Sequence, residues 1–316
     1  MELYFLGTGA GMPSPQRNVT SIALRLFAER GTFWLFDCGE GTQHQILKSP
    51  LKLRKLENIF ITHLHGDHLF GLPGLLSSRA YQGGQDPLAV YGPPGIRDWL
   101  ETTLHLSQSR LHYQLTIHEI AEGTVFEDDR MTVETAKLDH RIDSYGYRIA
   151  EKERPGKLKA EELRRRGLRP GPHYGALKRG EDVTLPDGTT VTAAEVTSGP
   201  QQGATVVILG DTRPCEGASK LARQADMLVH EATYSHDLSD LAHEYYHSTS
   251  AQAAQTALAA GARGLIVTHF SSRYKDIEAL QPLLGEAKAI FPNTMLAEEH
   301  VLYPVSARTG RASGHT

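Results

Sequence analysis

Short apolar runs rich in Val, Ile, Leu and Phe recur along the chain at residues 3–6, 22–27, 33–36, 58–62, 88–91, 206–209, 227–229 and 265–268, each the length of a strand. Stretches with helical periodicity lie between them at 42–47, 68–81, 96–106, 250–260 and 277–290. Their alternation predicts a layered α/β architecture rather than strands and helices in separate halves. Residues 18–27 followed by 31–36 predict a hairpin, and so do 183–185 and 189–193 around the turn Pro186-Asp187-Gly188. The last residues, 306–316, are small and polar and predict a frayed end.

One segment interrupts the pattern. Residues 151–181 show little hydrophobic periodicity and hold ten Lys/Arg against five Asp/Glu, a net +5. The whole chain has 33 Lys+Arg and 37 Asp+Glu, a net of −4, so the remainder is −9. The total argues against a surface that binds nucleic acid throughout, but the partition allows one basic patch. The segment therefore reads as a flexible surface arm inserted in an acidic body.

At 316 residues and 40% hydrophobic the chain can bury a sizeable core. No window approaches the roughly 18 consecutive apolar residues of a spanning helix, and the start Met1-Glu2-Leu3-Tyr4-Phe5-Leu6 lacks a basic targeting region. The expectation is a cytoplasmic protein with no membrane partner. Cys38 and Cys215 are too few for a disulfide framework and predict two small buried hydrophobes. Histidine is the outlier, sixteen in all, several of them clustered.

The run 58–62 leads directly into His63-Leu64-His65-Gly66-Asp67-His68. Two histidines two apart in extended chain can face the same side, and Gly66 permits a turn that returns Asp67 and His68 towards them. Three imidazoles and a carboxylate suit zinc, which takes nitrogen and oxygen ligands. His140, Asp211 and His269 also follow strand-like runs, where open α/β sheets gather ligands. Each alone is ordinary loop polarity; with the first cluster they make a set of seven. His247 precedes Ser248-Thr249-Ser250, so it is either a helix-capping neighbour or a proton donor. The loop Gly7-Thr8-Gly9-Ala10-Gly11 is not a dinucleotide fingerprint, because no helical pattern follows Met12-Pro13.

This spacing resembles the metallo-β-lactamase superfamily over nearly the whole chain. The resemblance implies an α/β fold, a four-layer αβ/βα sandwich, as a single domain over 1–316 with the basic arm inserted at 151–181. It also implies two zinc ions per subunit. His63, His65 and His140 would hold one, Asp67, His68 and His269 the other, and Asp211 would bridge them, with Asp37 supporting the site from behind.

Within the superfamily, four motifs resemble the ribonuclease Z family: His247-Ser248-Thr249, His230-Glu231-Ala232-Thr233, the glycine-rich start with Arg17-Asn18, and Gly171-Pro172 in the arm. That family removes 3′ trailers from precursor tRNA, leaving a 3′-hydroxyl on the tRNA and a 5′-phosphate on the trailer. The resemblance implies Asp67 as proton acceptor, His247 as acid and Glu231 as its orienting partner. It further implies substrate contacts from Arg17 and Asn18, and a homodimer whose arms grip tRNA through Gly171, Pro172, Lys157, Lys159, Arg164, Arg165, Arg166, Arg169, Lys178 and Arg179. The chain departs from the family at Pro15, where P-x-K-x-R-N has lysine. Two other readings remain open on the residues alone: a hydrolase of small phosphodiesters, and a silent RNA-binding module.

Overall fold

The apolar runs are strands buried on both faces. The computed structural model describes residues 1–26, 30–154, 156–185, 187–198 and 201–308; Phe27, Pro186 and positions 309–316 of the expected frayed end lie outside the described residues. In chain order the strands are β1 (Glu2–Gly7), β2 (Ser21–Leu26), β3 (Thr32–Phe36), β4 (Leu56–Phe60), β5 (Leu88–Gly92), β6 (Leu115–Glu119), β7 (Gly123–Glu127), β8 (Met131–Leu138), β9 (Ser144–Glu151), β10 (Val183–Thr184), β11 (Thr190–Val191), β12 (Thr205–Ile208), β13 (Met227–Glu231), β14 (Leu265–Thr268), β15 (Thr294–Leu296) and β16 (Leu302–Pro304).

Two seven-stranded sheets, ordered β16-β1-β2-β3-β4-β5-β6 and β15-β14-β13-β12-β9-β8-β7, repeat one plan. Each starts as an antiparallel meander, β1-β2-β3 or β7-β8-β9-β12. Each then continues as parallel strands, β3 to β6 or β12 to β15. The parallel connections carry helices such as Leu72–Tyr81, Ile96–Leu106, Ser250–Ala259 and Gln281–Ile290. The result is the expected α/β sandwich of four layers, helix-sheet-sheet-helix.

Side chains alternate between the layers. Leu3 and Phe5 of β1 enter the core between the sheets, whereas Tyr4 and Leu6 face the outer helices. Val206 and Ile208 of β12 face inward, and Val207 and Leu209 outward. This double burial is why the strands read as continuous apolar runs.

Two helices differ from expectation. The helix expected over 68–81 is two, Gly66–Leu69 and Leu72–Tyr81, separated at Gly71. A Cβ there would stand 2.1 Å from the Gly39 carbonyl oxygen, so close chain approach, not helical pattern, decides the break. The helix expected from 277 begins at Gln281, with Pro282 in its first turn. Cys38 is buried as expected, but Cys215 is only half-buried, at the position just before helix Glu216–Ala222.

The inserted segment between β9 and β12 continues past Glu181. Helices Ala160–Arg165 and Pro172–Lys178, the β10-β11 hairpin and helix Ala193–Val196 share a small core of Leu163, Leu168, Leu177, Val191, Ala193 and Val196. Over 152–204 the unit holds ten Lys/Arg and seven Asp/Glu, a net +3. Its neck is narrow: Glu151 N–H donates to the Ala204 carbonyl at 2.9 Å, and β9 and β12 pair directly below it.

Phe60 ends β4 immediately before the histidine-rich loop and stacks on Phe36 and Tyr91 at 5.0 and 4.9 Å. Phe60→Ala is expected to lower stability by about 3–5 kcal/mol in a denaturant titration; a loss under about 1 kcal/mol would show that this core can close over the cavity.

Candidate metal centre

The carboxyl ends of the parallel strands meet along one edge of the sandwich. β4 delivers His63, His65, Asp67 and His68, β12 delivers Asp211, β13 ends in Glu231 and β14 leads to His269. His140 comes from the turn between β8 and β9, and Asp37 follows β3.

All seven expected ligands converge. The nitrogens of His63, His65 and His140 form one group, and Asp67, His68, Asp211 and His269 a second. Asp211 lies between them: Oδ2 is 3.6 Å from His63 Nε2 and 3.3 Å from His269 Nε2, while Oδ1 is 3.4 Å from His68 Nε2. Asp67 Oδ2 is 3.5 Å from both His68 Nε2 and His269 Nε2. Two imidazole pairs face each other nitrogen to nitrogen, His65 with His140 at 3.2 Å and His68 with His269 at 3.3 Å.

These residues fit metal ions. His63 Nε2 is buried and has no hydrogen-bond partner among the described residues. A tetrahedron with metal–ligand bonds of about 2.0–2.2 Å has edges of roughly 3.3–3.6 Å, close to the donor separations here. The charges agree. Burial favours a neutral His68 ring, yet Asp211, Asp67 and Asp37 together drive its pKa well above the ordinary value, so the cluster calls for positive charge at its centre.

Each imidazole is aimed by its other nitrogen or its neighbours. Asp37 accepts from Thr62 N–H at 2.7 Å and Thr62 Oγ1–H at 2.8 Å, and pairs with His68 Nδ1 at 2.7 Å. His269 Nδ1 meets Thr233 Oγ1 at 2.8 Å, and His140 Nδ1 donates to the Tyr246 carbonyl at 2.9 Å. Gly11 N–H donates to Asp67 Oδ2 at 2.7 Å, tying the glycine-rich loop to the centre. Thr233 belongs to the run His230-Glu231-Ala232-Thr233, but Thr62 and Tyr246 were not singled out in the sequence; a lone threonine or tyrosine carries no motif.

Glu231 and His247 form a separate ion pair. His247 Nδ1 lies 2.9 Å from Glu231 Oε1. Thr249 and Gln252 form the capping box of helix Ser250–Ala259, which frees the His247 ring from any capping role. Burial disfavours the charged imidazole, but the charge and hydrogen bond of Glu231 push the His247 pKa up to about 9. Burial likewise disfavours the Glu231 carboxylate, and His247 holds its pKa below the usual range. Glu231 also accepts from Thr212 N–H, Thr233 Oγ1–H and Ser248 N–H at 2.8, 2.6 and 3.1 Å. Its oxygens are filled, so it orients His247 rather than offering itself to a metal.

Asp67, His65, His140, Asp211, His247 and His269 all line one cleft of about 300 Å³, with Arg141, Tyr234 and Tyr245 on its wall. Other expected site residues lie elsewhere. Asn18 is buried, its amide donating to the Glu40 carbonyl at 2.9 Å, and so it braces the loop. Arg17 and Pro15 line a neighbouring cavity of about 640 Å³. Gly171 caps and Pro172 begins a helix of the insertion, and no described residue of that unit lines the cleft. Within it Arg165 and Arg166 pair with Glu162, Arg166 also with Glu195, and Arg179 with Glu181. Lys157, Lys159, Arg164, Arg169 and Lys178 are exposed and make no ion pair among the described residues.

A family model for the anti-Pycsar protein Apyc1 matches residues 1–154. The chain is 54% identical over 305 residues to a ribonuclease Z of Geobacillus kaustophilus, covering 96% of this chain and 99% of that one. The short form of human tRNase Z superposes with a TM-score of 0.71 at 33% identity, covering 97% of this chain and all of that one. The metallo-β-lactamase fold protein YhfI of Bacillus subtilis superposes with a TM-score of 0.66 at 17% identity, over 96% and 98% of the two chains, a likeness of fold.

Asp37→Ala removes the group that aims His68 without removing a donor. Metal affinity is expected to fall about 10- to 100-fold in competition with a chelator. Unchanged affinity would show that the ring needs no such support.

Proposed function

Because the chain belongs to the ribonuclease Z family, and is thereby a hydrolase, a metal-dependent endoribonuclease of the metallo-β-lactamase superfamily that processes tRNA 3′ ends, we propose that it works with two zinc ions and cuts precursor tRNA to leave a 3′-hydroxyl on the tRNA and a 5′-phosphate on the trailer. The observation that carries this reading is a seven-member His/Asp cluster and a separate Glu231–His247 pair facing the same cleft.

His63, His65 and His140 would hold one ion, Asp67, His68 and His269 the other, with Asp211 shared. When bound, two zinc ions supply Lewis acidity, bringing the pKa of water to about 7 and neutralising charge on phosphate oxygens. Asp67, steadied by Gly11 N–H, takes a proton from the attacking water. The water oxygen bonds to phosphorus, the P–O3′ bond breaks with its electron pair going to O3′, and His247 gives that oxygen a proton. Because His247 presents Nδ1 to Glu231, its Nε2 is the nitrogen left for the leaving group.

The insertion is the tRNA-gripping arm in this reading. Lys157, Lys159, Arg164, Arg169 and Lys178 offer exposed charge to phosphates, and an A-form helix is read mainly through its backbone. Arg165, Arg166 and Arg179 share their charge with glutamates and contribute less. The working unit is a cytoplasmic homodimer in which one subunit's arm serves the other's cleft. No helix among the described residues is long and apolar enough to cross a membrane.

His247→Ala is expected to cut turnover by about 100-fold or more while zinc content stays at two ions per subunit; loss of metal would refute its role as acid. Joining Glu151 to Thr205 by a short turn removes the arm where β9 and β12 already pair. That variant is expected to lose precursor tRNA cleavage and keep turnover of an aryl phosphodiester. Equal activity on both substrates after the excision would favour the small-phosphodiester hydrolase instead.

A further inference from the structure

Next to His247 in the chain, the tyrosines at 245 and 246 stack with two guanidinium groups, and Tyr245 and Arg141 of this stack line the cleft. Arg213 forks onto Asp139 with two hydrogen bonds of 3.0 Å and lies over the Tyr246 ring at 4.0 Å. Arg141 lies over Tyr246 and Tyr245 at 5.9 and 5.3 Å. The two arginines differ in what they leave open. Asp139 neutralises Arg213, whereas Arg141 has no carboxylate partner among the described residues and lines the cleft. Tyr245 is 44% exposed, and its hydroxyl makes no hydrogen bond among the described residues. A free cation stacked on an open aromatic ring at a phosphodiesterase cleft suits an unpaired nucleotide, which offers a phosphate and a π-face together.

The direction of the strand follows from the proton donor, and this step rests on the endonuclease reading above. The oxygen that His247 protonates is the 3′ oxygen of the nucleotide kept on the tRNA. That ribose must therefore lie at His247, with its base one sugar away. Tyr245 is two residues from His247 in the chain, and the intervening Tyr246 carbonyl holds His140. Asp67, His65 and Gly11 also border a second groove, which includes Met12 and Phe70 and neither Tyr245 nor Arg141, and which could take the trailer.

We propose that Tyr245 and Arg141 form the subsite for the last nucleotide retained on the tRNA, its base on the Tyr245 ring and the phosphate on its 5′ side at the Arg141 guanidinium.

The test is a double-mutant cycle between protein and RNA, using the full-length enzyme loaded with zinc. Tyr245→Leu is expected to lower kcat/KM on a precursor tRNA about 10-fold or more, while Tyr245→Phe, which keeps the ring, stays within about twofold. Metal content should be unchanged in both. A precursor lacking only the base of its last retained nucleotide should be cut more slowly by the wild type, and the base deletion and Tyr245→Leu should not add. Arg141→Gln should likewise slow cleavage of the precursor with metal content unchanged. Additive losses, or coupling to the first trailer base instead, overturn the subsite and leave the endonuclease reading standing. Failure of the wild type to cut the intact precursor would overturn both.

Discussion

Three carboxylates, Asp37, Asp67 and Asp211, lie within 3.5 Å of the nitrogens of one buried imidazole, His68. Buried carboxylates so close together are costly unless positive charge and hydrogen bonds are supplied among them. The rest of the site answers that demand. Asp37 is filled by Thr62 and His68, Asp67 by Gly11 N–H, and Asp211 stands between two groups of imidazoles. The arrangement is a receptor for cations assembled from strand ends, and the sandwich is the frame that keeps those ends together.

The backbone contributes as much as the side chains. Asp37, His269 and Tyr246 all lie in the left-handed region, at φ 57°, 58° and 61°. Such conformations cost on the order of 1–3 kcal/mol at non-glycine residues, so surrounding structure must enforce them. Each serves the centre: Asp37 reaches His68, His269 is itself a donor, and the Tyr246 carbonyl fixes His140. Glycine does the complementary work. A Cβ at Gly39 would stand 2.2 Å from the Asp67 carbonyl, so only glycine lets the loop after β3 meet the histidine-rich loop.

Charge is divided between the two parts of the molecule. The insertion, with its own small core and narrow neck, presents exposed lysine and arginine, and the body gathers some of its acidic groups in the His/Asp cluster. Positive charge in the cleft would come from ions held by the His/Asp cluster, whereas the insertion carries it on side chains. In the proposed reading a polyanionic substrate would be held at two separated places without the cleft itself being lined by lysine.

Much of this was legible in the chain. Eight apolar runs became strands because strands buried on both faces leave a continuous apolar trace, and the cluster His63 to His68 is local enough to read as a ligand set. The short or exposed strands β6, β7, β15 and β16 left no such trace, and the bounds of the insertion were set by Val191, Ala193 and Val196 packing on Leu163 and Leu177, not by charge. Residue identity determined which groups could bind metal or carry a proton. Tertiary structure decided which of them meet: His68 with His269 across 201 positions, and His247 with Glu231 instead of a helix end. It also decided which aromatic rings stay open beside them. The reason is physical, since ligand chemistry belongs to single side chains, whereas burial, hydrogen-bond saturation and strained backbone are properties of a packed environment that distant segments create together.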